Sequence, residues 1–291
     1  MTSKLQKNTV ILSVTFHKVS NSRTGSLEGI DVDADKNSLR LSKEFIRSED
    51  FKKLTTIGVE VKKMLEVCAV PTKVFKRGTY LLPVAMLEEV YPVLEKAKIE
   101  YEAAASRVAD EWEEIIVDAQ LRLRTQFDPK NYPSAEVMRG KFWMDWGLME
   151  LSVPGSGIIG NELYEKEKEK AKNVWEEAER EVTEALREGM QKMVGRMVNQ
   201  LGMKPDGSKA RLQPAAVRDI QEFLNMFGKR NVLCDTELAE MVEQAKKLLD
   251  GKDAKDVRND AEYLKTELTK VAEGLDKLVT SSKRSFNFDE D

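Results

Sequence analysis

Five apolar residues fall at intervals of seven along one segment: Leu87, Leu94, Tyr101, Val108 and Ile115. Val90, Ala97, Ala104, Trp112 and Ala119 fill the complementary seam. A strand alternates its side chains with period two, so it cannot gather such a series on one side; a helix can. The pattern predicts a helix over 84–124 that packs on another helix along most of its length. Pro83 suits its first turn, and Pro92 predicts a kink or the start of the uninterrupted part.

A second long helix is expected from about Glu162 to Leu201. Ala171, Val174, Ala178, Val182, Ala185, Met193 and Leu201 lie on or near one stripe. Its first turns, EKEKEKAK, alternate in charge with almost nothing to bury, so that end is expected to project into water. These two helices predict a long antiparallel coiled-coil-like hairpin. The fold class is then mainly α with a small β element and shorter helices. Residues 1–83 and 125–160 form an α+β base, 208–283 the C-terminal helices, and 284–291 an acidic tail.

Within the base, Val10, Leu12, Val14 and Phe16 alternate with Ser13, Thr15 and His17, the mark of a half-buried strand. Ile30 and Val32 are candidates for its return strand. Ser48 offers an N-cap to a helix whose stripe is Phe51, Leu54, Gly58, Val61, Leu65 and Cys68. The segment VFKRGTYLLP reads as a strand or extended connection, and KFWMDWGLMELSV, apolar on both faces and aromatic, as a buried or partner-covered strand. Ser134 caps a short helix containing Glu136 to Arg139. Lys204-Pro205-Asp206-Gly207 reads as a turn. Pro214 starts a helix through Phe227, Thr236–Leu249 forms another, and a last one runs on from Asp253.

Composition narrows the function classes. With 47 basic and 51 acidic side chains the net charge is −4, so no global field draws the chain to nucleic acid or membrane. No stretch approaches the ~20 apolar residues that cross a bilayer, and the first residues carry no signal-peptide pattern. A cytoplasmic chain is expected, with Cys68 and Cys234 as reduced thiols. A single histidine, His17, and no Cys-x-x-Cys pair leave too few ligands for structural zinc. Serine catalysis of the familiar kind needs a histidine base, and His17 is expected on the solvent side of its strand. The glycines of PGSGIIG lack the lysine of a phosphate loop and read as a linker. Acidic pairs such as Glu113-Glu114 and Glu176-Glu177 lie among lysines, as solvated ion-paired surfaces do. The chain is expected not to be an enzyme and to hold no metal or cofactor.

Two features point to binding instead. Lys73, Lys76 and Arg77, with Arg139, Lys141, Trp143 and Trp146 farther on, combine phosphate-binding cations with rings that stack on bases. The plainer reading makes both tryptophans core. The tail residues Phe286, Phe288, Asp289, Glu290 and Asp291 join aromatic anchors to acidic charge, a pattern that docks in basic, apolar pockets. It equally suits a solubilising end.

The stretches FKRGTYLLPVAMLEEV, YPSAEVMRGKFWMDWGLMELSVPG and FLNMFGKRNVLCDTELAEMVEQAKKLLDG resemble, in order and spacing, an uncharacterised bacterial and phage family, the domain of unknown function numbered 3150. The resemblance spans most of residues 9–250. It implies a companion of MoxR-type AAA+ ATPases and von Willebrand factor A-domain proteins, and carries no active site. The expected function is therefore a non-catalytic helical scaffold or adaptor in a phage- or mobile-element-associated assembly, its partner an AAA+ ATPase or a second copy. A nucleic-acid-binding subunit is the alternative.

Overall fold

The computed structural model describes residues 3–25, 27, 30–153, 155–202 and 210–286, with side chains to residue 281. In chain order the first elements are α1 (Lys4–Asn8), β1 (Thr9–His17), β2 (Ser22–Thr24), β3 (Ser42–Glu44) and α2 (Lys52–Cys68). Next come β4 (Thr79–Pro83), α3 (Leu87–Asp110), α4 (Trp112–Leu123), α5 (Ala135–Arg139), β5 (Trp143–Met149) and α6 (Ser156–Ile159). The rest is helical: α7 (Asn161–Leu201), α8 (Pro214–Arg230), α9 (Thr236–Leu249), α10 (Ala254–Asn259) and α11 (Ala261–Phe286). The molecule is mainly α, and a small three-stranded sheet has the order β4-β1-β5.

The chain divides into two compact units. The first comprises Met1–Leu12, Cys68–Leu87 and Leu148–Asp291; the second comprises Ser13–Val67 and Glu88–Gly147. This differs from the expected division, because α7 joins the C-terminal helices while most of the 84–124 segment joins the β-containing base. The partner of α7 is α11. They run antiparallel: Gln191 donates to Asp276 (2.5 Å), Arg187 to the Leu278 carbonyl (3.3 Å), and Gly202 lies beside Lys265. The long helical pair exists, with a different second member.

The stripe that α7 buries consists of Trp175, Ala178, Val182, Leu186, Met190, Val194 and Met197. Ala171, Val174, Ala185 and Met193 sit at its half-buried edges. Three- and four-residue steps keep large side chains in line with Leu264, Leu268, Val271 and Leu275 of α11. Ile220, Phe223 and Phe227 of α8 and Leu238, Val242 and Leu249 of α9 complete one continuous core. Gly274 lets α9 approach closely, since a Cβ there would stand 2.7 Å from the Met241 sulfur. Leu5 of α1 is fully buried in the same core.

In the second unit, the seam expected from its sevenfold spacing is buried as Val90, Leu94, Ala97, Tyr101, Ala104, Val108, Trp112, Ile115 and Ala119. The helix is interrupted at Glu111, which separates α3 from α4, and Pro92 lies inside α3. The polar atoms of the seam are satisfied. Tyr101 donates to the His17 carbonyl (3.0 Å) and Trp112 to the Pro133 carbonyl (2.7 Å). Burial pushes the Tyr101 hydroxyl up to about 12. Arg47 grips Asp118 with two hydrogen bonds, at 2.6 and 2.9 Å.

Several local expectations need correction. Ile30 and Val32 form no strand; β2 pairs antiparallel with β3, Arg23 opposite Lys43. Ser48 binds the Glu44 carboxylate in a turn and caps no helix. Pro83 ends β4 in extended geometry and stands at the N-cap of the 3-10 turn Val84–Met86 that leads into α3, one position before the first turn. The last helix is broken at Asp260, between α10 and α11. In β5, Met144 is buried while Trp143, Leu148 and Met149 are exposed, so that strand is covered on one face alone. The turn expected at 204–207 lies outside the described residues.

The α7–α11 core predicts that Leu268→Ala costs about 3 kcal/mol in urea unfolding, as deletion of a fully buried leucine does. Lys166→Ala, at an exposed ion pair, should change stability by less than about 0.5 kcal/mol.

Candidate functional site

His17 ends β1. Its Nδ1 lies 2.6 Å from the Lys141 carbonyl, and its ring stacks on Trp143 at 5.3 Å and 4°. A carbonyl only accepts, so Nδ1 carries the proton of this bond. With the Tyr101 bond to its own carbonyl, His17 pins the end of β1 to the 141–143 segment. That is a structural task for an exposed ring, and among the described residues no serine or cysteine nucleophile is bonded to it. Nor, among those residues, is any group of three or more His, Cys, Asp or Glu side chains placed to hold a metal ion.

The expected nucleic-acid set is divided between the two units. In the first, Lys73, Lys76 and Arg77 are exposed on the loop between α2 and β4. That loop is anchored by Glu181 of α7, whose Oε2 accepts from the Lys73 amide (2.6 Å) and the Thr72 hydroxyl (2.8 Å). Partial burial opposes the charge on Glu181, but these bonds and the Val74 amide outweigh it and hold the carboxyl below its usual range. The loop amides that face an anion thus already have one. In the second unit, Arg139 is paired with Asp110 at 2.7 Å, and Lys141 is exposed. Trp143 is 43% exposed against His17, and Trp146 meets Tyr91 edge-on at 4.5 Å. Neither tryptophan is fully core. Asp145, exposed between them, engages Lys98 at 3.4 Å, so the strand carries mixed charge. The tail residues Phe288, Asp289, Glu290 and Asp291, and the side chain of Phe286, lie outside the described residues.

Two features that the sequence does not reveal lie in the first unit. Arg187 of α7 donates from Nε to Asp235 (2.7 Å) and from Nη2 to Glu237 (3.1 Å), with both Arg187 and Asp235 nearly enclosed. Asp235 also caps α9 through the Leu238 amide (3.0 Å). Desolvation pushes the Asp235 carboxyl upward, yet the Arg187 guanidinium and these amides win and leave it below its ordinary value. This node ties α7, α9 and α11 together. The Asp-Thr-Glu start of α9 signals the cap; nothing nearby in sequence signals the arginine.

A groove of ≈ 720 Å³ opens between α8 and the α9–α10 connection. Its floor includes Val217 and Leu224, and its rim carries Arg218, Lys246, Lys252, Lys255 and Arg258 against Asp250 and Asp253. Lys252 is bonded to Asp260, and Arg258 to the Leu212 carbonyl (3.0 Å). Asp253 is occupied in capping α10. Arg218, Lys246 and Lys255 make no side-chain hydrogen bond or ion pair among the described residues. Anionic ligands suit this place. Its cations come from three helices and the turn between α9 and α10, and from no single basic run, which is why the sequence hides it.

The ion-pair node yields a stability prediction. Arg187→Ala strands the Asp235 charge and should cost about 3 kcal/mol at pH 7, as breaking an enclosed pair does. Because the Asp235 pKa is depressed on folding, its contribution is complete above the unfolded value of ~3.9 and is lost as pH falls through the lower folded value. The gap between wild type and variant should therefore narrow in urea titrations below pH ~4.

Among the described residues, no helix is long and apolar enough to cross a membrane. No protein-family model matches the chain, and no curated protein or solved structure is significantly similar to it.

Proposed function

We propose that this chain is a non-catalytic helical scaffold or adaptor subunit of a phage- or mobile-element-associated protein assembly. The observation that carries the reading is the division of α7. Its buried stripe begins at Trp175, and residues 161–174 are helical with no side chain buried in the core. At 1.5 Å per residue that free stretch is roughly 20 Å long.

Isolated helices of this length are marginal in water, so the stretch depends on continuation from the anchored part and on its own charge ladder. Lys166 pairs with Glu162 (2.7 Å), Lys170 with Glu167 (2.6 Å), and Lys172 reaches both Glu169 and Glu176. Each exposed pair stabilises the helix by about 0.5 kcal/mol at most. Ile158 of α6 and Leu163 stand exposed at the N-terminal end of this stretch, away from the anchored part, at 81% and 48%. A charged helical arm with exposed apolar residues at the end remote from its anchor suits a protein partner better than a small substrate. The accessory role beside an AAA+ ATPase comes from the family resemblance alone.

Deleting residues 162–172 removes about three helical turns and keeps the rest of α7 in phase with its first residue. The variant should melt within about 2 °C of wild type, because little buried surface is lost. A photo-crosslinker at Leu163 should capture one defined protein in the native cells, and the deletion should abolish co-purification of that protein. Identical partners with and without the arm would refute the reading. Co-purified nucleic acid that falls away steeply with salt, and with charge reversal at Lys73, Lys76 and Arg77, would favour the alternative.

A further inference from the structure

We infer that the basic groove between α8 and the α9–α10 connection is a docking site for the acidic, aromatic tail, residues 286–291, of a second copy of this chain. The inference names a partner for the assembly and rests on that reading for its role, but its chemistry stands apart from the α7 arm.

Charge complementarity comes first. The protein carries a net charge of −4, yet the groove sets five cations against two carboxylates. One carboxylate, Asp253, is engaged in a helix cap with Lys255 close enough to lower its pKa, and Arg218, Lys246 and Lys255 make no side-chain hydrogen bond or ion pair among the described residues. The tail supplies Asp289, Glu290 and Asp291 at three consecutive positions. Carboxylates on a basic rim gain charge-assisted hydrogen bonds that are partly shielded from solvent.

Shape and apolar content agree. The groove has room for an aromatic ring beside the charged contacts, and Val217 and Leu224 form its floor with Pro214 at one edge. Phe288 stands immediately ahead of the acids, and Phe286 ends α11, so the tail brings an aromatic ring in beside its carboxylates. Lys246 and Lys255 also offer alkyl stems against which a ring packs while their ammonium groups stay at the rim.

Reach decides which copy supplies the tail. Helix α11 starts beside the groove, directly after Asp260, the residue that Lys252 bonds. It then runs for 26 residues away from it, about 39 Å. Residues 287–291 extend about 17 Å at most. They cannot return to the groove of their own chain. They can enter the groove of another, which makes the contact head-to-tail and the assembly open-ended unless the rotation closes a ring.

The test uses the full chain and a fluorescein-labelled peptide of residues 285–291. Saturable peptide binding is expected, weakened at least about tenfold by Arg218→Glu with Lys255→Glu, both exposed positions, and weakened again by added salt. Sedimentation velocity should show a mass that rises with concentration and falls to monomer when Asp289, Glu290 and Asp291 are replaced by Lys. Mixing the groove-reversed and tail-reversed chains should restore association, which a misfolded variant cannot do. Absence of saturable binding, binding indifferent to the groove charges, or association that survives tail reversal would overturn the inference. So would a groove that takes inorganic phosphate or an oligonucleotide and excludes the peptide. None of these results touches the arm-dependent capture, so the scaffold reading fails or stands separately.

Discussion

Burial of the Trp175–Met197 stripe of α7 in the core it shares with Leu264, Leu268, Val271 and Leu275 of α11 organises the first unit. Everything else in that unit is placed by this antiparallel pair. Helices α8 and α9 cover it, the Arg187–Asp235 node fastens its flank, and the loop after α2 is held by Glu181 on its surface. Among the described residues, the first part of α7 has no side chain in this core, because α7 has 41 residues and α11, which starts opposite the end of α7 near Gly202, has 26. Anchoring and projection are thus consequences of one helix being longer than its partner.

How much of the fold is legible in the sequence depends on the range of each interaction. Sevenfold spacing from Leu87 to Ile115 is a local property, and the helices it predicts are buried along that side. What the stripe packs against is not local. Any apolar stripe of similar width is a candidate partner, and two long helices in one chain suggest each other. Phase within α7 is hard to read because small residues, Ala171 and Ala185, mark a stripe as plainly as Trp175, Leu186 and Met190, which contribute far more buried area. Caps such as Ser134 and Asp235 announce their helices, since a cap bonds an amide three residues away.

Sites built from distant residues are the least visible. Arg187 and Asp235 are separated by 48 positions, and neither stands out in its own neighbourhood. The groove cations are single residues on α8, α9 and α10 and the turn between them, each with acidic neighbours that cancel it in any window of sequence. Conversely, the basic and aromatic residues that look concerted in sequence belong to different units, and Arg139 is neutralised by Asp110. Charge in sequence becomes a surface only when the fold gathers it.

Helix α7 is therefore one helix with a free first third and an anchored remainder, and residue-resolved amide hydrogen exchange on the isolated chain separates the two. Amides from Trp175 to Met197 should be protected up to the global unfolding free energy, while those from Glu162 to Lys172 exchange orders of magnitude faster through local fraying. Uniform protection along the whole helix would rule out a free part, because the first turns would then have to be held by contacts not made among the described residues.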